Sequence, residues 1–137
     1  MNIYYLDACA LIALLSGEKG AENVKRIVQE AIDGEITVKI NQINLLEVYY
    51  HICKIYDQDN ANQALMKIKE FPIEIIVGLK DSVFNEAGRI KSKYRIPLGD
   101  SIVVAECIVN NGILVTSDYK DLAKFGKEEN IKINWFR

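Results

Sequence analysis

Ile3-Tyr4-Tyr5-Leu6-Asp7-Ala8-Cys9-Ala10-Leu11 is the stretch on which the fold turns. Its first four residues are apolar or aromatic, without the polar alternation of a half-solvated strand. Such a run suits a strand buried on both faces. Asp7 ends it. Ala8 to Leu15 are good helix formers and read as a short helix, stopped near Ser16-Gly17.

The same alternation continues along the chain. Ala21, Val24, Ile27, Val28, Ala31 and Ile32 recur at helical spacing, so Gly20 to Asp33 reads as a helix closed by Gly34. Ile36 to Ile40 alternates like a strand. Asn41 or Asn44 caps a helix over Ile43 to Tyr56, and a further helix spans Asn60 to Lys69. After Pro72, Ile73 to Val77 reads as a strand and Leu79 to Tyr94 as an amphipathic helix. Asp100 to Asn110 is a nearly all-apolar helix ending at Asn111-Gly112. A strand over Ile113 to Thr116, a short helix over Tyr119 to Lys124 and a strand over Ile131 to Trp135 complete the chain. Strands alternating with helices predict an α/β fold with a parallel sheet covered on both faces. No repeat or linker divides the 137 residues, so one domain over 1–137 is expected.

Half of the residues are hydrophobic, enough to build a core. The formal charge of -2 argues against a partner bound through a broad basic face. A nucleic acid would need a local basic patch or bound metal to offset its phosphates. The three cysteines, Cys9, Cys53 and Cys107, are scattered among apolar residues and form no CxxC pair. They read as buried free thiols of a reducing compartment. Ile3 to Leu15 is apolar, but no Lys or Arg precedes it, Asp7 interrupts it, and it is too short to span a bilayer. A cytoplasmic protein without a membrane anchor is the expectation.

In open α/β sheets ligands bind beyond the carboxyl ends of the strands. Asp7 follows the first strand and Asp118 follows Ile113 to Thr116. If those strands are neighbours, both carboxylates point into one crevice. Taken singly, each reads first as a helix cap. Asp100 is harder to explain that way. Val103, Val104, Cys107 and Ile108 follow it on one helical stripe, where an unpaired charge is expensive. Glu47 shares a polar stripe with Asn44, His51 and Lys54, which suits a solvated face and a cleft equally. Carboxylates gathered in one cleft repel one another unless a cation is present, and an all-oxygen set suits Mg²⁺ or Mn²⁺.

The order of these acids resembles the PIN domain, specifically the VapC-type toxins of bacterial toxin–antitoxin pairs. The resemblance covers nearly the whole chain. It rests on Tyr4-Tyr5-Leu6-Asp7-Ala8-Cys9-Ala10-Leu11, on Asn44-Leu45-Leu46-Glu47-Val48, on Ile96-Pro97-Leu98-Gly99-Asp100-Ser101-Ile102-Val103-Val104-Ala105, and on Leu114-Val115-Thr116-Ser117-Asp118-Tyr119-Lys120-Asp121-Leu122. It implies a three-layer α/β/α fold with a central, mainly parallel sheet, usually homodimeric. It further implies Mg²⁺- or Mn²⁺-dependent endoribonuclease activity and a small cognate antitoxin. By motif, Asp7, Glu47, Asp100 and Asp118 match the family's acidic, metal-holding positions. Thr116 matches a frequent hydroxyl residue near the metal, and Asp121 a nearby acid of less settled role, and both are expected on the substrate side of the site. Where the family often carries a small hydroxyl residue or Asn after its first Asp, this chain has Ala8-Cys9-Ala10, which puts a supporting hydrogen bond in question.

Arg89, Lys91, Lys93 and Arg95 crowd the segment before Asp100 and are expected to meet substrate phosphate, against the plain reading of a solvated face. His51 lies one turn after Glu47, but a surface or interface imidazole is the simpler reading. Tyr49, Tyr50 and Tyr56 make their helix apolar on more than one side, as a core helix or an antitoxin or dimer surface would be. Two other functions compete. One is a non-catalytic interaction module of the same fold. The other is aspartyl phosphotransfer through Asp7, which Cys9 disfavours by standing where a second Asp is wanted.

Overall fold

A computed structural model describes residues 1–137. The elements run β1 (Ile3–Leu6), α1 (Ala8–Ser16), α2 (Ala21–Ile32), β2 (Thr37–Asn41), α3 (Gln42–Ile55) and α4 (Gln58–Ile68). They continue with β3 (Ile73–Ile76), α5 (Asp81–Lys93), α6 (Leu98–Asn110), β4 (Ile113–Thr116), α7 (Tyr119–Glu128) and β5 (Lys132–Trp135).

The five strands form one sheet in the order β3-β2-β1-β4-β5, and every pairing is parallel. The expected parallel sheet is therefore present, and β1 and β4 are neighbours, with Tyr5 opposite Leu114. From β1 the chain first builds outward through β2 and β3. It then returns to the other side of β1 for β4 and β5. The winding direction reverses between β1 and β4, and such a reversal opens a crevice at the carboxyl ends of the two strands.

Successive strand residues point to opposite faces. Leu6, Val38, Ile40 and Val115 pack with Leu11, Val24, Val48 and Ile68 in one core, under α1 to α4. Tyr5 and Leu114 pack with Ile90, Val104, Leu122 and Phe125 in a second, under α5 to α7. These are the three layers, helices on both faces of the sheet. No helix is long and apolar enough to cross a membrane.

Most element boundaries shift by one or two residues from the sequence reading, and two of the differences bear on the site. Helix α6 begins at Leu98, so Asp100 lies within its first turn and does not open it. Pro97, with φ -58 and ψ 152, supplies the entry, and its carbonyl accepts from the Ser101 amide at 3.0 Å. Helix α7 runs on to Glu128. Its last turn is held by Phe125, buried edge-on to Tyr94 with ring centroids 4.7 Å apart.

The turn from α6 into β4 is closely fitted. Asn111 takes the left-handed conformation at φ 51, and a Cβ on Gly112 would collide with the Tyr5 ring. Gly112→Ala should therefore lower unfolding free energy in urea by about 1–3 kcal/mol. Gly88→Ala, in mid-helix with open space around it, should raise stability by roughly 0.5–1 kcal/mol. Equal effects from the two substitutions would contradict this packing.

Candidate metal centre

The site forms where β1 and β4 end. The Asp7 carboxylate does two jobs at once. Oδ1 accepts from the Ala8 amide at 2.7 Å and caps α1, while Oδ2 accepts from the Thr116 hydroxyl at 2.9 Å. The same hydroxyl accepts from the Asp118 amide at 3.2 Å. Thr116 thus ties the first residue beyond β1 to the first turn beyond β4. Asp118 in turn caps α7, accepting from the Asp121 amide at 3.2 Å.

Glu47 reaches the same place from α3. Asn44, one turn earlier and fully buried, donates to Glu47 Oε1 at 3.1 Å and to the Gly99 carbonyl at 3.0 Å. A Cβ on Gly99 would clash with the Glu47 carboxylate, so glycine immediately before Asp100 leaves the space that Glu47 fills.

Asp100 is the least compensated member. It is 8% exposed, and its Oδ2 has no hydrogen-bond partner. Glu106, six residues later on the same helix and 3% exposed, shows what this fold does with an ordinary buried acid. Its oxygens accept from Asn41 at 2.9 Å and from Asn110 at 3.2 Å. Desolvation first, then the charges of Asp7, Asp118 and Glu47, push the Asp100 carboxyl up to about 8. Burial also raises Asp7 and Glu47 above the ordinary carboxylate range, partly opposed in Asp7 by the Thr116 and Ala8 hydrogen bonds. Asp121 is raised by desolvation and by the neighbouring Asp118 charge. Ligand oxygens of Asp100, Asp118 and Asp121 all lie within 4.8 Å of one another. A buried, unpaired oxygen at the edge of an all-carboxylate group is the arrangement a hard divalent cation satisfies.

The matching family model, described as the PIN domain, covers residues 4–128. The chain belongs to the PIN domain family. Among solved structures of similar fold, one chain of the structure of VapBC2 from Rickettsia felis bound to a DNA fragment from their promoter superposes with a TM-score of 0.72. The two are 20% identical over 96% of this chain and 97% of that one. A chain from the DNA-bound VapBC of Salmonella typhimurium gives 0.74 at 13% identity, with both chains wholly covered. One from VapBC-1 of nontypeable Haemophilus influenzae gives 0.69 at 15% identity over 98% of each. At such identities these matches speak for the fold. Among curated proteins no significantly similar relative is found.

Within this PIN domain the remaining expected residues divide. Asp121, expected near substrate, stands in the carboxylate group itself. Thr116 is wholly buried, with its hydroxyl bonded to the Asp7 carboxylate and the Asp118 amide. Arg89 has carboxylate partners within the protein. It is bonded to Glu86, one helical turn away, and to Glu129 at the end of α7. Lys91 donates to the Ile96 carbonyl at 2.8 Å, and Lys93 lies 3.6 Å from Glu129. Lys93 and Arg95 do border a groove of about 390 Å³ whose other walls include Lys120, Lys124 and Asp121. Lys120 and Lys124 were not singled out by sequence, because a lone lysine on a helix is indistinguishable from solvated surface.

His51 joins no cluster of ligand-type side chains. All three cysteines are free, but only Cys107 is fully buried. Cys9 is half-buried, and its Sγ donates to Asp7 Oδ2 at 3.5 Å. The hydrogen bond in question after Asp7 is thus made, weakly, by a thiol. Asn44 and Gly99 are supporting residues to which the sequence reading gave no role at the site. Their signal was present: one lies a turn before Glu47, the other immediately precedes Asp100.

An acid whose folded pKa is raised binds its proton more tightly in the folded state. Its penalty is absent below the unfolded carboxylate pKa and grows as pH rises toward the folded value. In chelator-treated protein, stability should therefore fall by an order of a few kcal/mol between about pH 4 and about pH 8. Asp100→Asn should flatten that slope in urea titrations at several pH values. An unchanged slope would remove Asp100 as its source.

Proposed function

We propose that this chain is a Mg²⁺- or Mn²⁺-dependent endoribonuclease, the VapC-type toxin of a toxin–antitoxin pair. The observation that carries the reading is the buried, unpartnered Asp100 oxygen facing the charges of Asp7, Glu47 and Asp118. Protein donors satisfy Glu106 but leave this oxygen open, which fits a cation-holding role for Asp100 and Asp118 with Asp121, whose ligand oxygens lie together, and for Asp7 and Glu47 beside them. A divalent ion held there supplies activation of water and neutralisation of charge on a phosphoryl group.

The rest of the chemistry belongs to the chain's own residues. Thr116 sets the spacing of Asp7 and Asp118, and Asn44 orients Glu47. Lys93, Arg95, Lys120 and Lys124 along the groove offset backbone phosphates leading to Asp121. A net charge of -2 agrees with such local contact.

The solved relatives named above are VapBC assemblies. By the same reading this chain binds a small antitoxin and forms a homodimer in the cytoplasm. Leu46, Tyr50, Ile55 and Tyr56 on and after α3 are exposed apolar residues suited to such contacts.

Asp7→Asn and Asp100→Asn should each reduce Mn²⁺-dependent RNA cleavage by at least about a hundredfold in folded protein, and calorimetry should show weakened Mn²⁺ binding. Thr116→Val, which removes only a supporting bond, should cost roughly 10- to 100-fold. Wild type that takes up no Mn²⁺ and cuts no RNA would leave the non-catalytic interaction module standing.

The groove gives a second contrast. Lys120→Ala with Lys124→Ala should weaken RNA binding across sequences and lower the salt slope by about one or two units. Arg89→Ala should leave RNA affinity unchanged while lowering thermal stability. The reverse pattern would return Arg89 to the substrate path.

A further inference from the structure

Tyr119 is the first residue of α7, directly after Asp118. Its ring lies flat on Trp135, the last residue of β5, with centroids 3.9 Å apart and an interplanar angle of 12°. Trp135 is half-buried and packs against the core beneath α5 to α7, while Tyr119 is 54% exposed. The register sets Trp135 opposite Thr116, the residue that holds Asp7 and Asp118. An anchored aromatic pair thus stands at the rim of the carboxylate cluster with one ring face open.

We propose that the outer face of Tyr119 is a stacking platform for an unpaired nucleobase of single-stranded RNA, seated while the neighbouring phosphodiester lies at the carboxylates. This rests on the nuclease reading above. Three observations favour a base as the occupant. The free surface is one flat ring, already held in parallel offset by the ring beneath, so little ordering is left to do on binding. It adjoins acids suited to phosphoryl chemistry. On the next side of the same helix, Lys120 and Lys124 border the cationic groove that suits the sugar–phosphate chain. A base inside a duplex has both faces covered, so the platform selects single-stranded or splayed-out nucleotides and is tolerant of base identity.

Trp135 is the only tryptophan in the chain, which makes the platform directly observable. In EDTA, titrating the full chain with a short single-stranded RNA should change Trp135 fluorescence. The same oligonucleotide carrying abasic positions should bind more weakly and leave the emission unaltered. Tyr119→Ala should weaken binding of the intact RNA by roughly fivefold to a hundredfold, the range of one base–aromatic stack, and abolish the difference from the abasic probe. Tyr119→Phe should preserve both. With Mn²⁺, Tyr119→Ala should raise KM by a similar factor at nearly constant kcat.

The proposal is overturned if intact and abasic RNA behave alike on wild type, or if Tyr119→Phe is as damaging as Tyr119→Ala. It is also overturned if emission responds to protein concentration and not to RNA, which would place a second copy on the ring. Cleavage without a base-dependent signal removes the platform and leaves the nuclease. A base-dependent signal without cleavage does the opposite.

Discussion

Asp100 Oδ2 is a carboxylate oxygen out of contact with water, without a donor, and facing three further acids. Removing a charge from water without pairing it costs several kcal/mol, and the usual responses are protonation, a cation or a structural change. Much of the neighbouring chain is arranged so that this oxygen stays where it is. Pro97 starts α6 early enough to put Asp100 in its first turn, where the helix dipole favours negative charge. Gly99 has no side chain, and Glu47 occupies the space it leaves. Asn44 holds both Glu47 and the Gly99 carbonyl, coupling α3 to the start of α6 through one buried amide.

Helix capping and cluster membership prove to be compatible uses of one carboxylate. Asp7 caps α1 with one oxygen and meets Thr116 with the other, and Asp118 caps α7 while belonging to the three-acid group. The caps contribute more than helix stability. Each fixes a side-chain rotamer, so the acids are held in place by the protein itself, at a helix start whose position the strand end determines. Two parallel strands emerging side by side at the switch point make that placement coincide for Asp7 and Asp118.

Cations are distributed by a different rule. Glu129, at the end of α7, collects Arg89, Lys93 and the Tyr94 hydroxyl, and Tyr94 packs edge-on to Phe125. This cluster pins α7 to α5. Because α7 carries Asp118, Asp121 and Tyr119, the charges of Arg89 and Lys93 help hold the site's last helix in position, and Lys93 borders the groove as well. The cations left to face the groove come mainly from α7 itself and from the loop before α6.

Nearly every helix and strand was legible from periodicity, because burying one face or both imposes a pattern that local residues must satisfy. The parallel sheet followed from the alternation of elements, and Asp100 stood out because its stripe is so apolar. The PIN family motifs supplied Glu47, whose own surroundings were ambiguous. The sequence by itself thus determined the elements, the fold class and which acids to suspect. Only the tertiary structure decided that β1 and β4 adjoin, that Asp121 joins Asp100 and Asp118, that Arg89 belongs to Glu129, and that Tyr119 lies on Trp135. Those facts are contacts between residues distant along the chain. They depend on how two layers close over the sheet, and a single strand of text carries no distance across it.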